Sequence, residues 1–518
     1  MPMPDPNKTS LREWIAFLCM VLGMFMSILD IQIVSSSISE IQAGLSASPD
    51  EVAWVQTSYL IAEIVMIPLS GWLSRLLSTR VLFVASAIGF TIFSMLCASA
   101  TSLNAMIFYR ALQGFLGGAM IPTVFATAWM MFPGARSAKV SVFIGLIATM
   151  APTFGPTLGG WLTDTFSWHM LFLINVPFGI LVATSVWFLL DIDRPDYTLL
   201  KKFDYVGLVL MACFLGALEF VLEDGNKNQW FEDNTIAAFA VLSAVAGVAF
   251  IWRMLTTHDP LVDLRTFKNG NFTAGCMFSL VMGTGLYGGT YLVPVFLGRV
   301  RGYDSLQIGE AMFVTGMFQF ISAPIVANLI RVMDLRRMLA LGIAMFGTAV
   351  WWLGHLSSQV GFWDIAGPQA LRGFALMFIM LPTNQLALGT MPPAQVKNAS
   401  GIYNLMRNLG GALGLAVINT ATTIRTDVHA LHLKEGLTWA HASSMKGLST
   451  ITHGLTAAKE NAAPLAALRK LALMVQREAM TLAYNDVLIL MALLFFLALP
   501  FTLLLAKPKP MGARSSSV

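Results

Sequence analysis

The sequence predicts an all-α, polytopic membrane protein with fourteen transmembrane helices. Of its 518 residues, 56% are hydrophobic and only 12% are Asp, Glu, Lys or Arg, whereas soluble domains carry about 25% charged residues. The apolar residues form long continuous runs, and at about 20 residues for each membrane-spanning helix they suffice for about fourteen spans. This composition excludes a soluble enzyme, a disordered chain and a single-span receptor. The long runs also disfavour a β-barrel, whose strands alternate in polarity over ~10 residues.

The distribution of basic residues predicts the orientation. Lysine and arginine are enriched in short cytoplasmic loops. If the N-terminus is cytoplasmic, 19 of the 32 basic residues fall on that side, and the short loops on the other side hold three, Lys227, Arg299 and Arg301. Both termini are therefore predicted to be cytoplasmic. The spans are predicted, in order, at 14–37, 52–74, 81–99, 105–131, 140–161, 169–190, 204–222, 236–252, 271–298, 305–330, 338–354, 364–390, 398–422 and 486–506.

Two similar strings indicate that the chain has two related halves. Arg110-Ala-Leu-Gln113-Gly-Phe in span 4 recurs 259 residues later as Gln369-Ala-Leu-Arg372-Gly-Phe in span 12. Parallel halves are typical of secondary transporters with a site near the midplane. The predicted organisation is a cytoplasmic N-terminus (1–13), an N-terminal six-helix half (14–190), an inserted helix pair (204–252), a C-terminal six-helix half (271–506) with a long outer loop (423–485), and a cytoplasmic tail (507–518).

Charged residues inside the spans are the first candidates for function, because a charge in hydrocarbon is costly. Asp30 in span 1 and Arg110 in span 4 lie at a common depth of ~8–10 Å, counted from the outer ends of their spans at ~1.5 Å per residue. They are predicted to form a pair that a proton or a ligand could switch; the alternative is a static ion pair between two helices. Glu63 lies near the middle of span 2, where it could carry a proton or be a hydrogen-bonded neutral acid.

The substrate cavity is predicted from polar groups in the spans expected to line it. Arg407 lies near the midplane of span 13, Arg372 and Glu310 lie at similar depth and could pair, and Glu219 is predicted to be interfacial. The chain is rich in Met, Phe and Trp, which suit varied apolar or cationic ligands, although most of these residues are expected to face lipid or pack helices. The candidate cavity residues are Gln113, Tyr287, Tyr291, Gln319, Arg372, Asn384, Gln385 and Arg407.

Several strings resemble the major facilitator superfamily, in particular its fourteen-span drug:proton antiporter branch of EmrB/QacA-like multidrug exporters. The strings are Leu-Asp30-Ile-Gln-Ile-Val in span 1, Arg110-Ala-Leu-Gln-Gly in span 4, Gly155-Pro156-Thr-Leu-Gly159-Gly160 in span 5, Trp168-His-Met-Leu-Phe-Leu-Ile-Asn175-Val-Pro-Phe-Gly in span 6, and Asn404-Leu-Met-Arg407-Asn-Leu-Gly-Gly in span 13. The span-5 string looks like the antiporter motif. Independently of the family, its glycines permit close helix approach and its proline removes a backbone hydrogen bond.

The resemblance implies a major facilitator fold, a proton-coupling role for Arg110, and export of small amphipathic compounds across a bacterial inner membrane. Asp30, and also Glu63, are the carboxyl groups expected to carry the coupled proton. The resemblance also implies an EmrA-like periplasmic adaptor and a TolC-like outer-membrane channel as partners. The proton gradient would supply the energy, and no cofactor is expected. A symporter, or an exporter of one metabolite or siderophore, is the alternative. A membrane enzyme is disfavoured, because no His/Asp or Ser/His cluster lies within the predicted spans.

Two regions depart from the family or give little signal. In the loop at 71–80, Gly71 and Arg80 match the family pattern, but Arg75 replaces the expected acidic residue, so the usual gating contacts of this loop are in doubt. The long loop holds four of the seven histidines, without the carboxylate or cysteine partners of a metal site, so no metal is expected. Residues 464–485 are predicted to form an amphipathic helix that leads into span 14, either on the membrane surface or as a docking surface for the adaptor.

Overall fold

The computed structural model describes residues 10–132, 135–330, 332–435 and 463–505, with isolated residues between 437 and 453, and contains helices without strands in these ranges. Fourteen main helices form the fold. They are α1 Leu11–Ser36, α2 Trp54–Leu77, α3 Thr79–Ala98, α4 Leu103–Met131, α5 Ala135–Thr165, α6 Met170–Leu189, α7 Tyr205–Asp224, α8 Asn234–Thr256, α9 Gly270–Phe296, α10 Ser305–Leu329, α11 Leu335–Leu353, α12 Phe362–Ala387, α13 Val396–Glu435 and α14 Ala463–Ala498.

Each predicted span overlaps one of these helices, and eleven of them are long and apolar enough to cross a membrane by length and composition. The other three are α5, α11 and α13. In α11 the pair Arg336 and Arg337 falls inside the helix, and in α13 Asn404, Arg407 and Asn408 interrupt the apolar sequence. The prediction of many membrane-spanning helices is confirmed, while the number fourteen remains a prediction.

Two helices extend beyond the predicted spans. Helix α13 continues to Glu435, and α14 begins at Ala463. The helix predicted at 464–485 is therefore present, and it runs without a break into the apolar segment of α14. Beyond the predicted end of span 13, both Arg425 and His429 of α13 bind the carboxylate of Asp486 in α14, at 2.5 and 2.7 Å. A hydropathy pattern does not reveal a polar contact of this kind between two helices.

The helices pack as two groups with the same internal arrangement. In the first group α1 packs against α5 and α6, α2 against α4, and α3 against α4 and α6. In the second group α9 packs against α13 and α14, α10 against α12, and α11 against α12 and α14. Each contact of the first group therefore recurs eight helices later.

The two groups meet at two equivalent pairs, α2 with α13 and α5 with α10. Helix α7 packs against both α2 and α13, and α8 packs mainly against α7. Contacts between loops define two faces: Asp193 after α6, Asp263 after α8 and Lys397 at the start of α13 lie together on the face where α1 begins. We call this the N-terminal face and the other the opposite face.

Candidate functional site

The most completely buried charges are Asp30 of α1 and Arg110 of α4, both with no exposed surface. The Arg110 guanidinium donates to the Asp30 carboxylate at 2.5 Å, to the Gln113 side chain at 2.8 Å and to the Val55 carbonyl of α2 at 3.1 Å. Its plane also lies over the Tyr59 ring, 4.2 Å from the centroid. One guanidinium thus joins α1, α2 and α4. The common depth of the two charges predicted the pair between α1 and α4, whereas the contacts with α2 were not predicted.

Neutral groups complete the hydrogen bonding of the carboxylate. Asn175 of α6 donates to Asp30 at 2.7 Å and Gln113 donates at 3.2 Å, and both amides also donate to Ser94 of α3. A buried carboxylate without these donors would be costly. The structure therefore places Gln113 in the network around Asp30, and not among the substrate groups where the sequence placed it.

Close helix packing makes this network possible. A side chain at Gly114 would collide with the backbone of Tyr59, and one at Gly118 would lie 2.7 Å from the carbonyl oxygen of Glu63. Since α4 touches the backbone of α2 at both positions, Arg110 lies close enough to reach the first turn of α2.

A second pair of charges lies between the two groups of helices. Glu63 of α2 is 2% exposed and Arg407 of α13 is 3% exposed. Arg407 donates to Asn404 at 2.8 Å and lies over the Phe125 ring of α4 at 5.4 Å. One oxygen of Glu63 and two guanidinium nitrogens of Arg407 have no hydrogen-bond partner among the described residues. These groups have spare capacity for a ligand, a proton or water.

The repeat aligns Gln369 of α12 with Arg110 and Arg372 with Gln113, so the buried arginine of the second group lies three residues later and has different partners. Arg372 donates to the Gly289 carbonyl of α9 at 2.7 Å and to the Thr315 hydroxyl of α10 at 3.4 Å. Gly289 lies 259 residues after Asp30, the same interval as the repeat, so the repeat places a glycine where the first half has the acid. The predicted pair with Glu310 does not form, because Glu310 is exposed on α10.

The other predicted cavity residues lie in different surroundings. Tyr287 is partly buried and its hydroxyl lies 3.3 Å from Asn408 of α13, whereas Tyr291 is 36% exposed. Gln319 is fully buried and neither its amide oxygen nor its nitrogen has a described partner. Asn384 accepts a hydrogen bond from the Trp129 indole across the two groups at 3.2 Å. The nitrogen of the next side chain, Gln385, has no described partner.

The span-5 string brings α5 against α1. A side chain at Gly155 would collide with Gln32, and one at Gly159 would lie 2.7 Å from the Ile33 carbonyl. Pro152 and Pro156 lie inside the same helix, and Gly160 is only partly buried. The predicted close approach is present, and α1 is the helix that the motif contacts.

The loop at 71–80 uses partners that the family pattern does not suggest. A side chain at Gly71 would lie 2.8 Å from the Lys397 carbonyl of α13, so α2 and α13 touch here. The Lys397 ammonium binds the Asp193 carboxylate and donates to the Ser74 carbonyl at 2.9 Å. We call these two bonds the Lys397 bridge, because they join the second group to the first at the N-terminal face.

The first group holds Asp193 in place for this bridge. Its carboxylate also accepts from the Thr79 backbone and hydroxyl groups at the start of α3. Arg80 donates to the Leu190 carbonyl at 3.3 Å and stabilises the same loop. The Nε of Arg75 has no described side-chain partner, and its carbonyl accepts from the Asp196 backbone.

Sequence reasoning missed Asn175, Ser94, Lys397 and Asp193. Asn175 stood in a string that resembled the family, which was the available signal, but a neutral side chain in an apolar run is not informative by itself. The histidine prediction also needs one correction, since His429 does have a carboxylate neighbour, Asp486. No group of three metal-binding side chains occurs in the part of the chain that is described.

Buried charges between two equivalent groups of apolar helices define a multi-pass membrane protein of the secondary-transporter class. The sequence model of the Major Facilitator Superfamily matches residues 20–415. The chain belongs to the major facilitator superfamily, and the resemblance found in the sequence is confirmed.

The relatives by sequence are drug-efflux and resistance proteins. The chain is 42% identical over 504 residues to the colistin resistance protein EmrB of Acinetobacter baumannii, which covers 97% of this chain and 98% of that protein. It is 32% identical over 417 residues to the multidrug export protein EmrB of Escherichia coli K12, covering 80% and 81%. It is 30% identical over 434 residues to the fatty acid resistance protein FarB of Neisseria gonorrhoeae, covering 84% and 85%.

Solved structures show the same fold at low identity. The human organic anion transporter MFSD10 aligns with a TM-score of 0.57 at 12% identity, over 94% of this chain and all of that one. The proton:xylose symporter XylE aligns with a TM-score of 0.56 at 13% identity, over 93% and 95%. The all-helical major facilitator fold is therefore confirmed.

Proposed function

We propose that this protein exports small amphipathic or hydrophobic compounds in exchange for protons, by alternating access. The observation that carries the proposal is the fully buried Asp30–Arg110 pair, which joins three helices around a single titratable carboxylate. The relatives named for multidrug export, colistin resistance and fatty acid resistance support export as the direction. Energy would come from the proton gradient, without a cofactor.

Proton binding would be coupled to helix movement through the contacts that Arg110 loses when Asp30 is protonated. Protonation removes the charge that the guanidinium faces, and an unpaired charge in a buried site is strongly destabilising. Arg110 keeps only the Val55 carbonyl, Gln113 and the Tyr59 ring. The contacts between α1, α2 and α4 are then weakened together, so proton binding favours a different packing of these helices.

The described arrangement supports an outward-facing state. The Lys397 bridge, the Gly71 contact and the Asn384–Trp129 hydrogen bond close the N-terminal face between the two groups. We propose that the N-terminal face is cytoplasmic, as the basic loops predict, and that fourteen helices cross the membrane. The Lys397 bridge would replace the usual contacts of the loop at 71–80 and break when the cytoplasmic side opens.

The substrate would bind between the groups, near Glu63 and Arg407. Their unpartnered polar atoms provide both signs of charge, and Phe125 and Tyr287 provide aromatic surface beside them. Such a site suits amphipathic molecules with a charged head, since aromatic faces accommodate both apolar and cationic groups. Gln319 and Arg372, buried in the second group, would complete the polar lining.

We further propose a location in the bacterial inner membrane and a tripartite assembly with an EmrA-like periplasmic adaptor and a TolC-like channel. At ~1.5 Å per residue, the 40 residues of α13 and the 36 of α14 span ~60 and ~54 Å, more than the ~30 Å of a bilayer core. The paired ends at Arg425 and Asp486 would project on the periplasmic side, where an adaptor could contact them.

Proton flux in inside-out membrane vesicles tests the exchange. Respiration acidifies the vesicle interior, and adding ethidium or a medium-chain fatty acid should release protons through the wild-type protein. Asp30→Asn and Arg110→Ala should abolish this release, whereas Glu232→Gln, at an exposed position, should not. Wild-type proton release and transport in both variants would refute the assignment, and flux in the same direction as the proton would indicate a symporter.

A further inference from the structure

A small, partly open space lies beside the proposed coupling site, and two of its lining residues, Glu63 and Tyr287, also border the proposed substrate site. Its volume is about 60 Å³, and it lies between α1, α2, α7, α9 and α13. Three carboxyl groups line it, Glu63 of α2 and Glu219 and Glu223 of α7, together with Tyr287 and Asn408. We call it the acidic chamber.

Two of these carboxyl groups are deeply buried by the surrounding helices. Glu219 is 5% exposed and Glu63 is 2% exposed. The loop after α7 folds back over the end of that helix. The Trp230 backbone N–H donates to the Gly225 carbonyl at 2.7 Å and its indole donates to Thr420 of α13 at 3.0 Å, and its ring packs against Phe220 and Val221. Glu219 itself faces α1, α2, α9 and α13.

Both deeply buried carboxyl groups have unused hydrogen-bonding capacity. Oε1 of Glu63 and Oε2 of Glu219 are buried without a partner among the described residues. An unsatisfied buried oxygen costs about 1–3 kcal/mol, so water is the expected partner. At ~30 Å³ for each molecule, the chamber has room for about two waters.

The charges around Glu219 favour a proton over a metal ion as the occupant of the chamber. The charges near Glu219 are the like charges of Glu223 and Glu63, whereas Glu63 has the two cations Arg110 and Arg407 near it as well as Asp30. Glu223 has Asp224 and Lys227 beside it, and Tyr287 faces the chamber from α9. Within the described ranges these carboxyl groups do not come close enough to hold a metal ion. Like-charged carboxyl groups in a small space relieve their repulsion by binding protons.

The acidic chamber also lies between the opposite face of the protein and the Asp30–Arg110 pair. Glu219 and Glu223 are one helical turn apart on the same face of α7, about 6 Å along the axis. Lys227 pairs with Asp224 where the helix ends at the opposite face. At the other side of the chamber, Ile31 forms the wall and adjoins Asp30 in the chain.

We propose that α7 supplies the proton route of this transporter: Glu223 and Glu219 pass protons from the opposite face, through water in the acidic chamber, to Glu63 beside the Asp30–Arg110 pair. A proton leaves a hydronium ion at the opposite face and binds a Glu223 carboxylate. Each later carboxylate gains a proton as the preceding group loses one. The inserted helix is then part of the coupling machinery. The inference rests on the proposed proton exchange and adds to it the residues that connect the pair to solution.

Transport by purified protein in liposomes tests this route. Glu219→Gln should slow ethidium transport driven by a pH gradient at least tenfold, while ethidium exchange at equal pH, which moves no net proton, stays within twofold of wild type. Glu223→Gln should show the same split to a smaller extent, and Glu219→Asp should restore part of the driven rate. The matched control, Glu232→Gln in the loop after α7, should leave both rates unchanged.

The outcomes separate this inference from the proposed function. If the wild-type protein shows no pH-driven transport, the proposed exchange itself fails. If the wild type is proton-driven and Glu219→Gln matches it, the α7 route is wrong. If driven transport and exchange fall equally in Glu219→Gln, the residue supports the fold and the route is also wrong.

A chemical readout checks the same residue without transport. Dicyclohexylcarbodiimide reacts with protonated carboxyl groups in apolar sites, and mass spectrometry locates the adduct. Glu219 of the wild-type protein should be modified in a pH-dependent manner between pH 5 and 8, while Glu232 should not. Absence of an adduct at Glu219 over this whole range would overturn the proposal.

Discussion

Loss of the Lys397 bridge should shift the protein away from the state in which its N-terminal face is closed. The Lys397 side chain is 11% exposed and Asp193 is 14% exposed, so solvent screens their attraction weakly. Lys397→Met keeps the length of the side chain and removes both of its bonds to the first group. Bonds to charged groups contribute about 1.5–3 kcal/mol each, but water replaces part of this when the face opens.

A net change of about 2 kcal/mol corresponds to about 30-fold in the equilibrium. A closed population of 99% would then fall to about three quarters. Spin labels at two exposed positions of the N-terminal face, Tyr197 in the first group and Val332 in the second, report the separation by double electron–electron resonance. The four native cysteines are replaced beforehand. Lys397→Met should add a population at longer distance.

The matched control is Asp334→Asn. Asp334 pairs with Arg336 at 3.0 Å on the same face, but both residues belong to the second group. This variant should keep the wild-type distance distribution. If Lys397→Met also keeps it, or if both variants change it equally, the bridge does not determine which face is closed.

Three further predictions concern the buried network and its packing. Arg110→Lys should fail to restore proton-driven transport, remaining more than tenfold below wild type, because one ammonium cannot reach all the partners of the guanidinium; vesicle transport assays measure this. Asn175→Ala should reduce proton-driven transport by about tenfold or more, from the loss of a bond worth about 1.5–3 kcal/mol to a charged group, and an unchanged rate would contradict the role given to Asn175. Gly159→Val should lower the free energy of unfolding by about 1–3 kcal/mol through overpacking against α1, whereas Gly270→Ala, where the space is open, should leave Tm nearly unchanged in a thermal unfolding scan.

The sequence predicted the helices well wherever apolar residues alone determine them. The predicted spans overlap α1 to α14, and the largest difference is that α13 continues past residue 422 to Glu435. In this extension Arg425 and His429 bind Asp486 of α14. A hydropathy pattern records where a chain is apolar, and it does not record a polar contact between helices that lie far apart in the chain.

Site residues could be predicted from the sequence where burying them in the membrane has a clear energetic cost. A charge in hydrocarbon needs a partner, so the equal depth of Asp30 and Arg110 was enough to pair them. Lys397 and Asp193 are 204 residues apart, in or next to loops. Charged residues are common and well solvated in loops, so nothing in the sequence singled out these two or paired them. Glu219 was predicted to be interfacial because it lies near the end of span 7, and a span count does not show that residues of α1, α2, α9 and α13 surround it.

The central claim is that the Asp30 carboxylate binds and releases the proton that drives export. The most direct test is to measure the ethidium gradient at which net transport stops for a given pH gradient. Liposomes with purified protein receive a fixed pH gradient, and the ethidium gradient that gives zero net flux is measured. The account predicts that this null point moves with the pH gradient for the wild type and becomes independent of it in Asp30→Asn. A null point in Asp30→Asn that still follows the pH gradient as in the wild type would contradict the claim.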